Sequence, residues 1–528
     1  MTEITHWADV IAETVLKNND TNKIATGITP SGHIHIGNIR EVVTADSVFK
    51  AIKDKGQDSE FIYISDDFDP LRKVYPFLSE DYAEHVGKPL SEIPCPCNEC
   101  KSYSEHFLKP FIDSLKILGI KPKLIRANEL YKSGAYVELI KTALLKRDEL
   151  ACIIEEISHK KLTDDWSPFN PLCNACGKIN DATVIGFNID AESVDYSCNC
   201  GNKGVASMRG GGKLTWRVDW ASRWSMLGIT VEPFGKDHAS RGGSYDTGIR
   251  ISKEIYKYPP PNPIVYEWIM LGKKGAMSSS SGVVISVFDI LKVLPPAVLR
   301  YLIIRTKPEK HIKFDPALPL LNLVDEYERI QANPKTEHEK RIIELSYAFK
   351  NTHTNISFKH MVTVCQIAQN NNHLLEILKR TGHCVKKKQD IFKLAENVRN
   401  WLDLYAPPMV KFSIKKDLPM QSATLSDLQR AFLKSLSIVL SDTTILSGED
   451  YHNLIYSAKD STSLIYNEMK SIIGDSIQEY DINPKEMFHS IYMTLLGEKS
   501  GPKAGWLLAS IDKEFLINRF NAAAEYKP

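Results

Sequence analysis

The ten residues from Thr29 to Asn38, TPSGHIHIGN, bring two histidines, an asparagine and two glycines into one short segment. A strand-like run from Lys23 to Thr26 precedes them and apolar residues at helical spacing follow, which predicts a strand-to-helix turn. Free backbone N–H groups and the helix dipole favour an anion at such a turn. His35 and Asn38 are therefore predicted to bind a phosphate or an adenine, although a turn without a ligand also fits the pattern.

Seven of the ten cysteines fall in two short clusters, a placement that indicates metal binding rather than disulfide bonds. The second cluster contains two close pairs of thiols, which is typical of a structural zinc site: Cys173, Cys176, Cys198 and Cys200. The first cluster contains three thiols: Cys95, Cys97 and Cys100. Its fourth ligand is predicted to be His106, with His85 as the alternative. We therefore predict one or two structural Zn²⁺ ions.

Alternating helix-like and strand-like runs in the first 90 residues, including an apolar strand from Phe61 to Ser65, predict a doubly wound α/β domain. Ligands of such a domain bind beyond the carboxyl ends of the strands, where the HIGN turn lies. The predicted segments are 1–90 and 213–300 for the two halves of this domain, 91–212 for a zinc-bearing insertion, 301–330 for a linker, and 331–528 for an α-helical domain.

The bulk composition is that of a multidomain globular protein, with 528 residues, 43% of them hydrophobic and 25% charged. The net charge of +1 excludes a polycation, so contacts with nucleic acid must come from local basic patches. No apolar run approaches the roughly 18 residues of a transmembrane helix, and acidic residues near the N-terminus exclude a signal peptide. We expect a cytoplasmic protein that binds neither a membrane nor DNA.

Several segments resemble, in the same order, motifs of the class I aminoacyl-tRNA synthetases, and most of all the class I lysyl-tRNA synthetase family. The HIGN of residues 35–38 is similar to the HIGH signature, and Ala276 to Gly282 (AMSSSSG) is similar to a diverged KMSKS loop. The other matching blocks are Asp66 to Tyr75 (DDFDPLRKVY), Trp216 to His238, Asn400 to Phe412 (NWLDLYAPPMVKF) and Leu496 to Gly505 (LGEKSGPKAG). The resemblance covers nearly the whole chain.

The resemblance implies a ligase that activates L-lysine with ATP and Mg²⁺ and then transfers lysine to the 3′ end of tRNA(Lys). It also implies a Rossmann-type catalytic domain, contact of the 301–330 linker with the tRNA stem, and a helical anticodon-binding domain over residues 331–528. The residues implied to bind ATP are Pro30, Gly32, His35, Gly37, Asn38, Met277 and Ser280. The residues implied to bind lysine are Gly27, Thr29, Trp220, His238 and Tyr266. Core packing remains the alternative for Trp220 and Tyr266. Asp219 and Asp237 are further candidate acids for the ammonium group, with a purely structural role as the alternative for Asp219.

The KMSKS-like segment lacks both lysines of the usual motif, because Ala276 and Ser279 stand at their positions. A cation near the triphosphate is still needed, and Lys273 and Lys274 lie just upstream. We predict that one of these lysines supplies the charge, while the serines, including Ser278 and Ser279, bind phosphate oxygens. The alternative is that both lysines are solvated and Mg²⁺ suffices.

The substrate is indicated by Ala25, which stands where glutamyl-type relatives carry an arginine for the side-chain carboxylate of glutamate. Lysine is therefore preferred, and two other functions stay open: another HIGH-type synthetase, such as a glutamyl-type enzyme, or a non-catalytic tRNA-binding paralogue. Trp401, Tyr405 and Phe412 are candidates for stacking anticodon bases, with a role in the core as the alternative for each.

Overall fold

The computed structural model describes residues 6–18, 21–272, 285–348, 355–444, 447–472, 476 and 478–526. The chain forms two compact units. Unit 1 contains residues 1–291, 296–315 and 329–350, and unit 2 contains residues 292–295, 316–328 and 351–528. Among the described helices, none combines the length and the apolar character needed to cross a membrane.

The strands are β1 (Lys23–Ile28), β2 (Glu60–Ser65), β3 (Lys123–Arg126), β4 (Phe169–Pro171), β5 (Ala182–Asn188), β6 (Ser193–Cys198), β7 (Lys203–Ser207), β8 (Gly212–Leu214), β9 (Val231–Gly235), β10 (Asn262–Tyr266), β11 (Ile269–Leu271) and β12 (Ile312–Phe314). The helices up to residue 346 are α1 (Trp7–Asn18), α2 (Ile36–Asp54), α3 (Tyr103–Ile117), α4 (Ala127–Ser133), α5 (Val137–Leu145), α6 (Arg147–Ser158), α7 (Trp216–Leu227), α8 (Ser244–Arg250), α9 (Val287–Val293), α10 (Pro296–Ile304), α11 (Leu318–Ala332) and α12 (Glu337–Ser346).

A five-stranded parallel sheet in the order β10-β9-β1-β2-β3 forms the centre of unit 1. Helix α2 packs on one face of this sheet, against β1, β2 and β9. On the other face Ala25 of β1 and Ile62 and Ile64 of β2 pack in a hydrophobic cluster with Trp220 and Trp224 of α7. Helices thus cover both faces, and the predicted doubly wound fold class is confirmed.

The strand order reverses between β1 and β9. In a doubly wound sheet the crevice at this reversal, beyond the carboxyl ends of the strands, is where ligands bind. The HIGN turn follows β1, and the WRVDW block of α7 leads into β9. The chain therefore brings two of its motifs to the same crevice.

Residues 91–212, predicted as an insertion, contribute to two parts of unit 1. Strand β3 pairs with β2 and forms an edge of the central sheet. This edge strand, KLIR, has only two apolar residues, so its sequence carries little strand signal. The later part forms a small β subdomain, in which β5, β6 and β7 make an antiparallel sheet and β4 pairs with β8.

Helices α13 to α21 belong to unit 2: α13 (Phe358–Ile367), α14 (Asn371–Arg380), α15 (Lys388–Leu404), α16 (Asp427–Asp442), α17 (Gly448–Asp460), α18 (Thr462–Met469), α19 (Pro484–Leu495), α20 (Ala504–Ser510) and α21 (Lys513–Glu525). Helix α16 is central, with α17, α18, α19 and α21 packed around it. Trp401 of α15 is fully buried and its Nε1 donates to the Pro316 carbonyl, so of the two roles left open for this residue the structure favours the core over base stacking.

Candidate active site

A cavity of about 840 Å³ lies at the carboxyl ends of the central strands. The residues that line it come from the ends of β1, β2, β9 and β10, from the start of α2 and from α7. The predicted site residues that it brings together are Gly27, Thr29, His35, Gly37, Asn38, Trp220, Asp237, His238 and Tyr266. Pro30 and Gly32 are not among its lining residues. Lys273, Lys274, Met277, Ser278, Ser279 and Ser280 lie outside the described residues.

His35 is the N-cap of α2, and its Nδ1 accepts a hydrogen bond from the Gly37 N–H at 3.1 Å. Burial lowers the pKa of His35 to about 4, so the imidazole is neutral at pH 7. Because Nδ1 is an acceptor, the proton of the neutral ring lies on Nε2, which is then free to donate. The backbone N–H of His35 in turn donates to Asn38 Oδ1 at 3.2 Å, which completes a capping box and leaves the Asn38 amide NH₂ group as a donor.

Gly37 allows this cap to form. A Cβ at Gly37 would lie 2.8 Å from both Nδ1 and Cε1 of His35, which is closer than carbon atoms tolerate. The glycine therefore lets the imidazole fold back over the start of the helix. The HIGN turn is thus a locally determined structure that presents two hydrogen-bond donors to the cavity.

Hydrogen bonds and a ring contact hold the residues implied to bind lysine in place. Thr29 Oγ1 donates to Asp69 Oδ2 at 2.7 Å, which leaves its lone pairs available to an ammonium group. The Gly27 N–H and the Tyr266 hydroxyl donate to the same carboxylate, that of Glu41, at 3.0 and 2.8 Å. The rings of Trp220 and His238 lie 5.5 Å apart. Trp220 is only 3% exposed, so it takes part in the core and in the cavity wall at once.

Two buried carboxylates, Glu41 and Glu232, were not predicted as site residues. Glu41 is on α2 and Glu232 is on β9, and both line the cavity. Glu232 accepts hydrogen bonds from the indole N–H groups of Trp220, at 3.1 Å, and of Trp224, at 2.5 Å. Within the described part of the chain neither carboxylate has an ion-pair partner. Burial raises the pKa of Glu41 to about 8 and that of Glu232 to about 7.

The sequence did carry a signal for each of these acids. Glu41 lies three residues after Asn38, on the same side of a helix that is otherwise buried. Glu232 is a charged residue within the short apolar strand VEPFG. Acidic residues in such positions are rarely buried without a partner, so each one marks a candidate site for a cation.

Two other acidic residues that line the cavity, Asp66 and Asp69, are already neutralised. Arg223 forms ion pairs with Asp66 and Asp219, each with a closest contact of 2.6 Å. Lys213 pairs with Asp69 and lies 3.4 Å from Asp219. Asp219 is fully buried in this network, which gives it a structural role, whereas Asp237 is exposed at the cavity. Among the buried acids that line the cavity, Glu41 and Glu232 are thus the two without an ion pair in the described part of the chain, and the exposed Asp237 is the third acid open to a ligand.

Arg40 is a second residue of the HIGN helix whose role the motif did not indicate. It is 1% exposed, and its guanidinium donates to backbone carbonyls rather than to a carboxylate. These acceptors are Glu267, Trp268, Lys307, Pro308 and Lys310. Arg40 therefore ties α2 to the segment around β11, which directly precedes the KMSKS-like segment in the sequence.

The second cysteine cluster lies in the small β subdomain. The ligand atoms of Cys173, Cys176, Cys198 and Cys200 all lie within 4.8 Å of one another. The Sγ atoms of Cys173 and Cys200 are 3.7 Å apart, as are those of Cys176 and Cys198. Tetrahedral zinc with Zn–S bonds of about 2.3 Å requires sulfur atoms about 3.8 Å apart. The four thiols therefore fit a closed, tetrahedral zinc site.

The first cysteine cluster lies just before α3 and includes a histidine of its first turn. Cys95, Cys97, Cys100 and His106 offer ligand atoms within 4.8 Å of one another. His106 Nδ1 is 3.2 Å from the Cys97 sulfur. His85, the alternative fourth ligand, instead lies 3.2 Å from the Glu84 carboxylate. The geometry therefore brings His106, and not His85, to the three thiols.

Residues 5–353 match the protein family described as tRNA synthetases class I (K). The chain is 58% identical to the lysine–tRNA ligase of Methanosarcina barkeri, over 100% of this chain and 99% of that protein. It is also 58% identical to lysine–tRNA ligase 1 of Methanosarcina acetivorans, over 99% of each chain. The lysine–tRNA ligase of Archaeoglobus fulgidus is 44% identical, over 98% of this chain and 100% of that protein.

Proposed function

The chain belongs to the class I (K) tRNA synthetases, and from this premise we propose that it ligates L-lysine to tRNA(Lys). The lysine carboxylate attacks the α-phosphate of Mg²⁺-bound ATP, which forms lysyl-adenylate and releases pyrophosphate. A ribose hydroxyl at the 3′ end of the tRNA then takes the lysyl group as an ester, and AMP leaves. The cavity at the carboxyl ends of β1, β2, β9 and β10 holds lysine and ATP. The relatives that match this chain over nearly its full length carry the name lysine–tRNA ligase.

The observation that carries the choice of lysine is the pair of buried carboxylates, Glu41 and Glu232, that form no ion pair with any residue the structure describes. An ionised carboxylate without a partner is costly to bury, and an ammonium ion in the cavity would remove that cost. We assign the ε-ammonium group of lysine to these two acids. Tyr266 and Gly27 hold Glu41 in place, and Trp220 and Trp224 hold Glu232.

Lysine recognition therefore rests on charge more than on ring faces. A cation–π contact contributes about 0.5–2 kcal/mol, whereas truncating a buried, hydrogen-bonded charge pair costs about 2–5 kcal/mol. Trp220 adds to this indirectly, because its indole N–H fixes the Glu232 carboxylate. A glutamate side chain would bring a third negative charge to the same place and would be rejected.

The HIGN turn acts on ATP. Negative charge increases on the α-phosphate when the lysine carboxylate attacks it, and donors that are already oriented stabilise that charge. Nε2–H of His35 and the Asn38 amide are such donors at the start of α2. From the sequence, Lys273 or Lys274 supplies the positive charge that the diverged KMSKS-like segment lacks. The serines from Ser278 onward bind phosphate oxygens.

Each cysteine cluster is proposed to hold one structural Zn²⁺, which crosslinks the segments that supply its ligands. The glutamyl-type alternative is not favoured, because Ala25 lies within a hydrophobic cluster where an arginine would be needed. We further propose that the protein works in the cytoplasm, where its tRNA substrate is found.

The function is tested by supplying purified protein with total tRNA, ATP, Mg²⁺ and one of the twenty amino acids at a time. Of the twenty amino acids, only lysine should be esterified to tRNA. Charging with glutamate would support the glutamyl-type alternative. The absence of both adenylate formation and charging with every amino acid would support the non-catalytic paralogue. A parallel assay of Glu41→Gln with lysine links the result to the cavity described here.

A further inference from the structure

Residues 29–33 (TPSGH) join β1 to the HIGN turn, and this segment is held at both ends. At its start, Thr29 Oγ1 donates to Asp69. Just after its end, the HIGN turn is fixed by the cap on α2. Between the two, the Ser31 N–H donates to the Thr29 carbonyl at 2.8 Å, a bond that spans only two residues. Ser31 lines the catalytic cavity, so its position depends on a contact from another part of the chain.

Tyr103, the first residue of α3, makes that contact. Its hydroxyl donates to the Ser31 carbonyl at 2.7 Å, and its side chain is fully buried. Its own backbone N–H donates to the Ile93 carbonyl at 2.9 Å, which holds the start of α3 against the segment before it. A hydrogen bond made away from water is stronger than the same bond at an exposed site. The bond from Tyr103 therefore fixes Ser31 relative to α3.

A small group of rings surrounds this hydrogen bond. Tyr103 packs on Phe107, one turn later in α3, with ring centroids 4.9 Å apart. Phe107 meets the ring of His33 edge to face, at 5.1 Å. Phe77 packs on both of these rings, at 5.4 Å from Phe107 and 5.7 Å from His33. One face of α3 thus contacts the TPSGH segment at two residues, Ser31 and His33.

The face of α3 that makes these contacts is built directly on the first cysteine cluster. The three thiols of this cluster lie in residues 95–100, just before α3. Its fourth candidate ligand, His106, lies in the first turn of the helix, between Tyr103 and Phe107 in the sequence. The His106 ring is 4.7 Å from that of Phe107. A metal ion held by the thiols and His106 would therefore fix the turn of α3 that carries both contacts.

We infer that Tyr103 is a positioning residue for adenylate formation, because it holds the segment before the HIGN turn against a helix that the first metal site anchors. The first metal site thereby affects the use of ATP without touching the reacting atoms. Lysine binding does not depend on this support, since the donors that hold Glu41 and Glu232 come from β1, β10 and α7. The inference rests on the proposed function, because it takes ATP as the ligand of the HIGN turn.

The test measures lysine-dependent exchange of pyrophosphate into ATP by the full-length protein, at a constant, saturating concentration of tRNA. Tyr103→Phe removes the hydroxyl and keeps the ring that packs on Phe107. The net contribution of one hydrogen bond corresponds to about a twofold to tenfold change in rate, so kcat/KM for ATP should fall by that factor. The KM for lysine should change less than about twofold.

Tyr82→Phe is the matched control. The Tyr82 hydroxyl also donates to a main-chain carbonyl beside the first cysteine cluster, that of Pro94, at 3.0 Å. This variant therefore loses a bond of the same kind near the same cluster, but one that does not reach the TPSGH segment. Its kcat/KM for ATP should equal that of the wild type, and a comparison of the two Tm values shows how much each hydroxyl contributes to stability alone.

Two further variants test whether Tyr103 acts through the HIGN turn and through the metal site. In the His35→Ala background, Tyr103→Phe should have little further effect, because the donor that Tyr103 helps to position is already absent and coupled residues are not additive. Cys97→Ser should remove about one equivalent of zinc, measured by plasma mass spectrometry. It should lower kcat/KM for ATP at least as much as Tyr103→Phe does, while the Kd for lysine, measured by isothermal titration, stays at its wild-type value.

Wild-type use of ATP by Tyr103→Phe would overturn the inference, and so would full additivity with His35→Ala or an equal effect of Tyr82→Phe. Normal use of ATP by zinc-depleted Cys97→Ser, or a loss of lysine binding in that variant, would overturn the role of the metal site. The proposed function is read separately from the wild type. Absence of lysine-dependent exchange in the wild type would refute the function, whereas normal exchange in both the wild type and Tyr103→Phe would refute the positioning role alone.

Discussion

Glu41→Gln is the substitution that most directly tests how lysine is selected. Glutamine has nearly the same shape, and its side-chain oxygen can still accept the hydrogen bond from Gly27, but it cannot carry a negative charge. In the free protein, burial raises the pKa of Glu41 to about 8, so at pH 7 roughly nine in ten molecules carry a proton on this group. When the lysine ammonium binds, the carboxylate must ionise. Lysine binding at pH 7 therefore releases about 0.9 proton from Glu41.

This coupling makes the affinity depend on pH. For a group with a pKa of about 8 that must ionise on binding, the Kd for lysine falls about fiftyfold between pH 6 and pH 8. The Glu41→Gln variant should lose this fiftyfold dependence of the Kd on pH, and at pH 8 it should bind lysine more weakly than the wild type does. Burial raises the pKa of Glu232 to about 7. In the variant, ionisation of Glu232 should still lower the Kd for lysine about tenfold between pH 6 and pH 8.

Glu41→Gln should weaken lysine binding but should increase the stability of the protein without lysine. An acid whose pKa is raised on folding destabilises the folded state as the pH rises from its ordinary pKa to the raised one. The cost grows by about 1.4 kcal/mol for each pH unit in that interval. Glu41→Gln removes this cost, so the Tm without lysine should rise at pH 8. A variant that is more stable and yet binds its substrate more weakly is the expected result.

Isothermal titration of lysine, in two buffers of different ionisation enthalpy and without ATP, measures both the Kd and the number of protons released. Where tRNA is needed for binding, it is held at a constant saturating concentration. Glu328→Gln is the matched control, because burial also raises the pKa of Glu328, to about 7, and this residue lies in unit 2. Equal proton release by the wild type and Glu41→Gln would refute the assignment of the ammonium group to Glu41.

Three further predictions concern the ATP site and the metal. His35→Ala should lower kcat for adenylate formation by roughly 10²- to 10³-fold with little change in the lysine KM, and a change mainly in lysine KM would contradict its role at the phosphates. Cys176→Ser should remove about one equivalent of zinc, measured by plasma mass spectrometry, because it opens a closed four-ligand shell; Cys152→Ser, at an exposed cysteine outside both clusters, should leave the metal content unchanged. Replacing both Lys273 and Lys274 with Met should slow adenylate formation at saturating lysine at least tenfold, or about 1.4 kcal/mol, whereas wild-type pyrophosphate exchange would show that Mg²⁺ suffices.

The HIGN turn and the zinc clusters could be predicted from the sequence because their determinants are local. The cap on α2 needs only His35, Gly37 and Asn38, and all three lie within four residues. The cysteine pairs likewise fix most of their geometry through short spacings. The alternation of helix-like and strand-like runs was enough to predict the doubly wound fold class, because the spacing of apolar residues reflects which face of each strand or helix is buried.

The charge balance of the lysine pocket was decided only by the tertiary structure. Whether an acid is available to a substrate depends on which cations reach it, and those come from distant parts of the chain. Lys213 neutralises Asp69, whereas Glu41 accepts hydrogen bonds from Tyr266 and Gly27 but has no cationic partner among the described residues. The same holds for Trp401, which shares an aromatic-rich block with Phe412 but is fully buried, whereas Phe412 lines a cavity. Sequence specifies which groups are present and the local turns that hold them. Burial and long-range pairing determine which of those groups remain free to bind a ligand.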